Sequence, residues 1–406
     1  MSTQASWNEA PLSALCRAVG GGTPSRNNSG YWQGSIPWAS VKDFPEDSIY
    51  LRDTEEHISV EGLRNSASNL IPPNTPLVCT RMAVGRCALS TVSTAINQDV
   101  KALIDLSAVE PAFFIRALAL RGRELDRVAI GSTVKGISTK QLLGLQLRYP
   151  SVDEQARISA VLDAVDDAIE QTEAVIAKLK NAKEGLTLNC FAADNRDRSG
   201  WRDFQLKDCY LQPSRNGLYK KPHFYGRGIR MAHMPDLFMG MYVSAETAAR
   251  VDVTEPELDR FGLEEGDLLF ARRSLNLEGA GLSVLVPRLS EPLTFESSVV
   301  RVRLNRDIVD PEFALRFLRS SIAWLDRRRF IRHVAVSGVS GEDIGRFRLP
   351  CPPIAQQVRF LEEARAVDAL IATEHSLSAK LDMLRQGLAA DLLLGQVRTP
   401  PDLGLT

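Results

Sequence analysis

The chain has 406 residues, 44% of them apolar and 24% charged, with a formal net charge of −1. That length predicts two to four domains with enough chain to bury a real core, and the absence of any run of about 18 apolar residues excludes a membrane-spanning helix. Near-neutrality argues against a protein that grips nucleic acid unaided, because phosphate contacts dominate such affinity; it leaves no nucleic acid, a local basic surface, or a partner that shares the grip.

The N-terminal stretch MSTQASWNEAPLSALC has neither a basic leader nor a continuous apolar core, so no signal peptide is expected and a cytoplasmic location follows. Cys16, Cys79, Cys87, Cys190, Cys209 and Cys351 form no C-x-x-C, and five histidines are spread as thinly. Reduced, buried thiols are expected, with no metal and no cofactor. Residues 1–145 read as mixed α/β, with short apolar runs such as LVCTRMAV (77–84) between Gly/Pro turns. GGGTPS (20–25) lacks the lysine and spacing of a phosphate-cradling loop. Trp32 and Trp38 are read first as core anchors, whereas Tyr31 is left open.

YPSVDEQARI (149–158) then opens a long helix, with Ser151 and Glu154 spaced as a capping box after Pro150. A stripe runs Ile158, Leu162, Val165, Ile169, Thr172, Ile176, Leu179, Lys183, Leu186, Cys190 in alternating steps of four and three. That is a coiled-coil seam. Residues 200–347 again read as mixed α/β. MPDLF (234–238) has no E-x-K element at a sensible distance, so a nuclease is not supported, and PEFALRFLRSSIAWLDRRR (311–329) reads as one helix whose terminal arginines suit its dipole. CPPIAQQVRF (351–360) opens a second long helix with a weaker cap, so its start is expected to be the looser one. Its stripe keeps register through Phe360, Ala364, Val367, Ile371, Glu374, Ser378, Leu381, Arg385, Leu388 and Leu392, widened by Leu370, Leu377 and Leu384. Each helix of roughly 40 residues would span about 60 Å and needs the other for stability.

The two decapeptides belong to a longer repeat. Shifted by 202 positions, residues 134–194 match the second half without a gap: Gly136-Ile137-Ser138 meets Gly338-Val339-Ser340, Pro150 meets Pro352, Gln155 meets Gln357, and Gly185-Leu186 meets Gly387-Leu388. This is a duplicated architecture. A pseudo-two-fold axis would pair the helices antiparallel. Gly185 and Gly387 then mark either a close helix approach, a partner's seat, or an incidental glycine. Weaker echoes link the globular halves: Trp7 and Leu12 with Trp201 and Leu206, Ile36, Ala39 and Asp43 with Ile229, Ala232 and Asp236, and Leu77-Val78 and Arg81 with Leu268-Leu269 and Arg272.

Taken together, GGTPSRNNSGYWQGSIPWASVKDF (21–44), GSTVKGIS (131–138), YPSVDEQARISAVLDAVDDAIE (149–170) and VSGVSGEDIGRFRLPCPPIAQQ (336–357) make the whole chain resemble the DNA-specificity subunit of type I restriction–modification systems. One departure is that the second half lacks the GG-T-P-S element and carries SRNGLYKKPHFYGRGIRMAHM (214–234) in its place. The resemblance implies an α+β chain: two mixed α/β target-recognition domains, each followed by a long helix, the helices packed as an antiparallel coiled coil with an internal pseudo-two-fold repeat. The boundaries expected are 1–148 and 196–350 for the recognition domains, 149–195 and 351–396 for the helices, and 397–406 for a tail. It further implies a non-catalytic subunit that reads a bipartite, gapped double-stranded DNA target, the helices setting the gap. Two DNA methyltransferase subunits and a restriction/translocase subunit would be its partners, with no membrane involved.

Each recognition domain would then touch DNA through basic, hydroxyl and aromatic side chains. The candidates are Thr23, Ser25, Tyr31, Trp32, Lys42, Arg81 and Arg86 in the first half. In the second they are Tyr219, Lys220, Lys221, Tyr225, Arg227, Arg230, His233, Arg272 and Arg273, with the 219–230 cluster the leading group. Candidates for helix pairing and partner docking are Gln155, Ile158, Leu162, Val165, Ile169, Ile176, Leu179, Leu186, Gln357, Phe360, Val367, Ile371, Leu381 and Leu388. The contrasting reading is a duplicated coiled-coil scaffold that assembles proteins and never reads DNA.

Overall fold

The computed structural model describes residues 7–46, 48–129, 135–191, 198–244, 246, 248–333 and 336–400. Residues 131–134 of the GSTVKGIS segment, the first six residues and 401–406 of the tail lie outside the described residues. The chain forms two compact units, one of Met1–Ala174 with His375–Thr406, the other of Val175–Glu374. Two 40-residue helices, Val152–Phe191 and Ile354–Leu393, each contribute to both units. Each unit therefore holds one globular half, the start of the helix that follows it and the end of the other helix.

In the first unit the apolar runs become buried strands. Thr75–Cys79 is buried at every residue, as the continuous run TPLVC requires of a strand covered on both faces. It lies inside a five-stranded sheet ordered Arg17–Gly20, Val100–Ile104, Thr75–Cys79, Cys87–Ser90, Tyr50–Leu51. A four-stranded sheet sets Ile36–Ala39 parallel to Thr94–Ile96, and a two-stranded ribbon pairs Asn8–Pro11 with Gln146–Tyr149.

The second unit repeats this plan. Arg202–Gln205 pairs with Arg348–Cys351, and Leu268–Ala271 sits inside a four-stranded sheet. Tyr225–Ala232 runs parallel to Leu293–Phe295. The echoes have a common geometric basis. The Leu12 amide donates to the Leu145 carbonyl and the Leu206 amide to the Phe347 carbonyl. Asp43 caps the Ser40 amide and Asp236 the His233 amide, both at 2.8 Å.

Within each unit the two helices run antiparallel. In the first, Glu154 binds Arg398 while Asp166 lies 3.6 Å from Arg385, so partner numbers fall as helix numbers rise. In the second, Lys183 bonds Asp368 at 2.6 Å while Phe191 meets Phe360 with ring centroids 5.5 Å apart. Ile158, Leu162, Val165, Ile169, Ile176 and Phe360 are buried, and Leu179, Leu186, Val367, Ile371, Leu381 and Leu388 half-buried, as the seam predicts.

Leu370, Leu377 and Leu384 do not widen the seam. They are 53%, 44% and 49% exposed, because a four-three stripe already fills the paired face and these residues fall beside it. Gly185 and Gly387 are not close-approach points either, since a Cβ added at either would meet nothing within 4 Å. The segment 311–329 breaks into Pro311–Leu318 and Ser321–Arg327, the second capped by the Ser320 hydroxyl.

The repeated glutamine joins each long helix to its globular half. Gln155 is fully buried: its Oε1 accepts from the Glu110 amide at 2.8 Å, and its Nε2 donates to the carbonyls of Ala108 and Pro150 at 2.9 Å each. Gln357, also fully buried, accepts from the Asp310 amide at 2.8 Å and donates to Ile308 and Pro352 at 3.1 and 2.8 Å. Neither glutamine is available for helix pairing or a docking partner, because both ends of the amide are engaged inside the unit. The Ser151–Glu154 capping box is likewise not formed, since the Glu154 carboxylate is taken by Arg398. The two helix starts are held alike, by glutamine.

Two outcomes follow from these contacts. Gln155→Ala or Gln357→Ala orphans one buried amide and two buried carbonyls, so each should lower stability by about 2–4 kcal/mol in urea denaturation; a change below about 0.5 kcal/mol would remove the clamp from consideration. The second concerns acid. Burial raises the carboxyls of Asp368 and Glu312, but bonds from Lys183 and Arg316 to the one, and from Arg365 and Arg316 to the other, outweigh it and leave both below their ordinary values. Such a carboxyl stabilises the fold above its unfolded pKa of about 4, and that contribution drains as pH falls through the folded value. Melting temperature should fall steeply below about pH 4, and Asp368→Asn should flatten that acid limb while lowering stability at neutral pH; an acid limb identical in the variant would exclude this carboxylate.

Candidate nucleic-acid interface

In the first unit the segment before Ile36–Ala39 is pinned from below. Trp38 is 3% exposed and its indole N–H donates to the Gly22 carbonyl at 3.0 Å, which makes it the anchor expected of it. Trp32 packs edge-on against Trp38 with centroids 5.0 Å apart, its N–H on the Ser25 carbonyl, while the Arg26 guanidinium lies 3.5 Å over its ring. One face of Trp32 is thus already covered. Tyr31 is half-buried and held through its carbonyl by the Ser59 amide, whereas Ser25 and Lys42 are exposed.

Thr23 and Arg81, 58 positions apart, belong to one polar chain. The Thr23 hydroxyl donates to Gln98 at 2.6 Å, Gln98 donates to Asp99 at 3.3 Å, and Asp99 lies 4.0 Å from Arg81. Gln98 and Asp99 were not among the sequence candidates, and only the strand connection that brings them beside Thr23 identifies them. Arg86 stands apart: it pairs with Glu46 and lines a cavity of about 900 Å³ together with Arg116, Asp166 and Arg385.

In the second unit the leading cluster is largely neutralised. Lys220, its side chain 8% exposed, bonds Glu257 at 2.7 Å and sits over the Phe224 ring, so it is turned inward rather than toward a phosphate. Arg227 pairs with Asp252 at 2.9 Å and Arg230 with Glu291 at 2.6 Å. Tyr225 is half-buried, its hydroxyl on the Met231 sulfur, and the His233 ring nitrogen meets the Met231 carbonyl at 2.8 Å. Tyr219 is 75% exposed, and Lys221 is exposed with no carboxylate partner among the described residues.

Arg272 and Arg273 differ from that cluster. With Arg332, which sequence reading did not select, they line a cleft of about 230 Å³ that also holds Asp343. Among the described residues none of the three arginines has an ion-pair partner. Arg327 belongs to the interior instead: it donates to the Leu318 carbonyl at 3.0 Å, and burial pulls its pKa down to about 10.

The equivalence between Arg81 and Arg272 shifts by one residue. Arg81 bridges Gly136 antiparallel, and the Ile137 amide donates to the Thr80 carbonyl at 2.9 Å. In the second unit Arg273 pairs with Gly338, and the Val339 amide donates to Arg272 at 3.0 Å. Arg81 therefore corresponds to Arg273 and Thr80 to Arg272. Apolar runs carry no register of their own, so only the pairing to the glycine reveals the slip.

A second repeat escaped notice in the sequence: VEPAFFIRAL (109–118) against VDPEFALRFL (309–318), offset by 200 rather than 202. Its helices are capped by Glu110 and Asp310 and carry Arg116 and Arg316 inward. Arg116 binds Asp163 and Asp166 at 2.7 Å, and Arg316 binds Asp368 at 2.7 Å. All six thiols are pushed up, chiefly by burial, with Cys16, Cys190 and Cys351 at about 11, so they rest as neutral thiols. No group of three metal-ligating side chains stands together among the described residues.

The family model of the type I restriction modification DNA specificity domain matches residues 5–181. The EcoR124I/EcoR124II specificity subunit of Escherichia coli is 34% identical over 162 residues, 38% of this chain and 40% of that subunit. The MjaIX specificity subunit of Methanocaldococcus jannaschii is 21% identical over 97% of this chain and 94% of its own length. The crystal structure of the type I restriction–modification S subunit from M. genitalium, 14% identical, superposes with a TM-score of 0.58 over 97% of both chains. With the specificity domain matched over residues 5–181 and the fold of an S subunit along its length, the chain is similar to the specificity subunits of type I restriction–modification systems.

Proposed function

We propose that the chain reads a bipartite, gapped DNA target and directs methyltransferase and restriction subunits to it, doing no chemistry itself. The observation that carries this reading is the occurrence of one fold twice with different surfaces. The two units share a terminal two-stranded ribbon, their glutamine clamp and an exposed arginine paired opposite a glycine. Around that arginine the first presents Thr23, Gln98 and Asp99 and the second Arg272 and Arg332. Two readers of one plan with unlike tips suit two unlike half-sites.

The recognition domains would span 1–148 and 196–350, with the helices between and after them. Partner subunits would dock on the helices, where Leu370 in one unit and Leu377 and Leu384 in the other stand exposed at seven-residue intervals. Two methyltransferase subunits, one per unit, would match the duplication, with one restriction subunit joining them. No helix among the described residues is long and apolar enough to cross a membrane, and we place the protein in the cytoplasm with its DNA. A scaffold that never touches DNA would explain the helices but not the unpaired arginines.

Mapping methylated bases across the host genome with the gene present, deleted and restored tests this reading. One split motif, two short specified parts around a fixed unspecified gap, should lose methylation on deletion and regain it on restoration. If every methylated motif survives deletion, the scaffold takes its place.

A further inference from the structure

We propose that Arg81 and Arg273 are one device used twice, an anchor on a backbone phosphate of duplex DNA that is indifferent to sequence, and that the repeated G-[IV]-S segment mounts it. The proposal rests on the DNA-reading function above and adds a division of labour within each reader.

The mounting is the same in both units. Arg81 lies opposite Gly136 and Arg273 opposite Gly338, each in an antiparallel pairing. The next residue, Ile137 or Val339, bonds the carbonyl just before the arginine. The serine after it caps a short helix, Ser138 for Thr139–Leu143 and Ser340 for Gly341–Gly345, with both halves of a capping box present. The segment is therefore tied by its strand pairing and by its helix cap, which fixes where the arginine leaves the backbone. In the first unit a Cβ at Gly136 would lie 3.2 Å from Arg81 Cγ, close enough that the arginine stem would have to give by a few tenths of an ångström. Sequence reading found this motif as a repeat but gave it no task.

Exposure and charge point the same way. The Arg81 side chain is 60% exposed and its carboxylate neighbour, Asp99, stands at 4.0 Å, beyond a direct hydrogen bond. Arg273 is exposed with no ion-pair partner among the described residues. Lys220, Arg227 and Arg230, by contrast, are each held directly by a carboxylate.

The surroundings differ where the arginines do not. Arg81 neighbours the acceptor-rich chain of Thr23, Gln98 and Asp99, whereas Arg273 shares a cleft with Arg272 and Arg332. Side chains that specify bases have to differ between readers of different half-sites. A side chain held constant by a constant mount serves the part of DNA that is constant, the phosphate.

The test uses the complex of this chain with its methyltransferase, and duplexes carrying either the motif that the wild type methylates or the same motif with both half-sites scrambled. Affinity is measured over a series of salt concentrations for the wild type, R81A, R273A, R81K and R273K. Each alanine variant should lower the slope of log affinity against log salt by about 1 and weaken both duplexes by the same factor, leaving the methylated motif unchanged. Each lysine variant should keep the slope, because a phosphate accepts a point charge. An unchanged slope in the alanine variants overturns the proposal, as does a methylated motif relaxed at one base. If an alanine variant melts early, its lysine counterpart decides: loss of motif binding with lysine marks forked base readout and overturns the anchor. A wild-type complex without a split motif refutes the DNA-reading function and this proposal together, whereas a wild type that reads its motif alongside indifferent variants refutes the anchor alone.

Discussion

A buried primary amide holds each globular half to its helix. Gln155 and Gln357 each satisfy a backbone N–H at one end and two carbonyls at the other, with no exposed surface. Glutamate could not donate to the carbonyls, and leucine would orphan all three groups in a place water does not reach. The partners come from three places: the proline that ends the last strand, the residue two before the short helix's cap, and the cap itself. That cap, Glu110 or Asp310, uses its carboxylate on its own helix while its amide is held by the glutamine. One side chain thereby couples the directions of two helices, and a helix of 40 residues leaves its globular half at a determined angle.

Register along the helix pair has a different source. A seam of alternating four- and three-residue steps packs nearly as well after a slip of one heptad, so apolar contact alone does not choose. In the second unit Asp368 receives Arg316 from the globular half and Lys183 from the opposite helix, at 2.7 and 2.6 Å. In the first, Asp166 receives Arg116 at 2.7 Å and has Arg385 at 3.6 Å. A slipped pair would leave each partly buried carboxylate with only one of its cations. Such pairs add little net stability, but breaking one is expensive, and that asymmetry suits them to choosing between registers.

What the sequence made visible follows from what is local. The proline-to-glutamine punctuation, the seam and the Trp7–Trp201 echo all depend on residues close in the chain or repeated without a gap. Asp166 and Asp368 did not stand out, because an aspartate in a charged helix looks solvated until an arginine some 50 residues earlier is known to reach it. The short repeat at 109–118 and 309–318, offset by 200, lies outside the gapless match at 202 that draws the eye. Glu257, Asp252 and Glu291 neutralise the 219–230 cluster from at least 22 residues beyond the cluster itself, which no local pattern reports. Even the slip between Arg272 and Arg273 is of this kind, since register is a property of two strands and not of one.

The same pairing explains why a net charge of −1 is compatible with a DNA reader. Formal charge counts an arginine bonded to Asp267 inside a sheet equally with one standing in solvent. Pairing removes opposite signs from the surface together, so the total stays near zero while other cations, Arg273 and Lys221 among them, stand exposed with no carboxylate partner among the described residues. On the anchor reading proposed above, Arg81 and Arg273 set position and orientation, yet two such contacts cannot neutralise the run of phosphates that supplies most protein–DNA affinity. On that reading the missing charge comes from the partner subunits. A subunit that adds little long-range attraction of its own leaves the hold on unspecified DNA to its partners, so the contacts it does make weigh mainly on which sequence is kept.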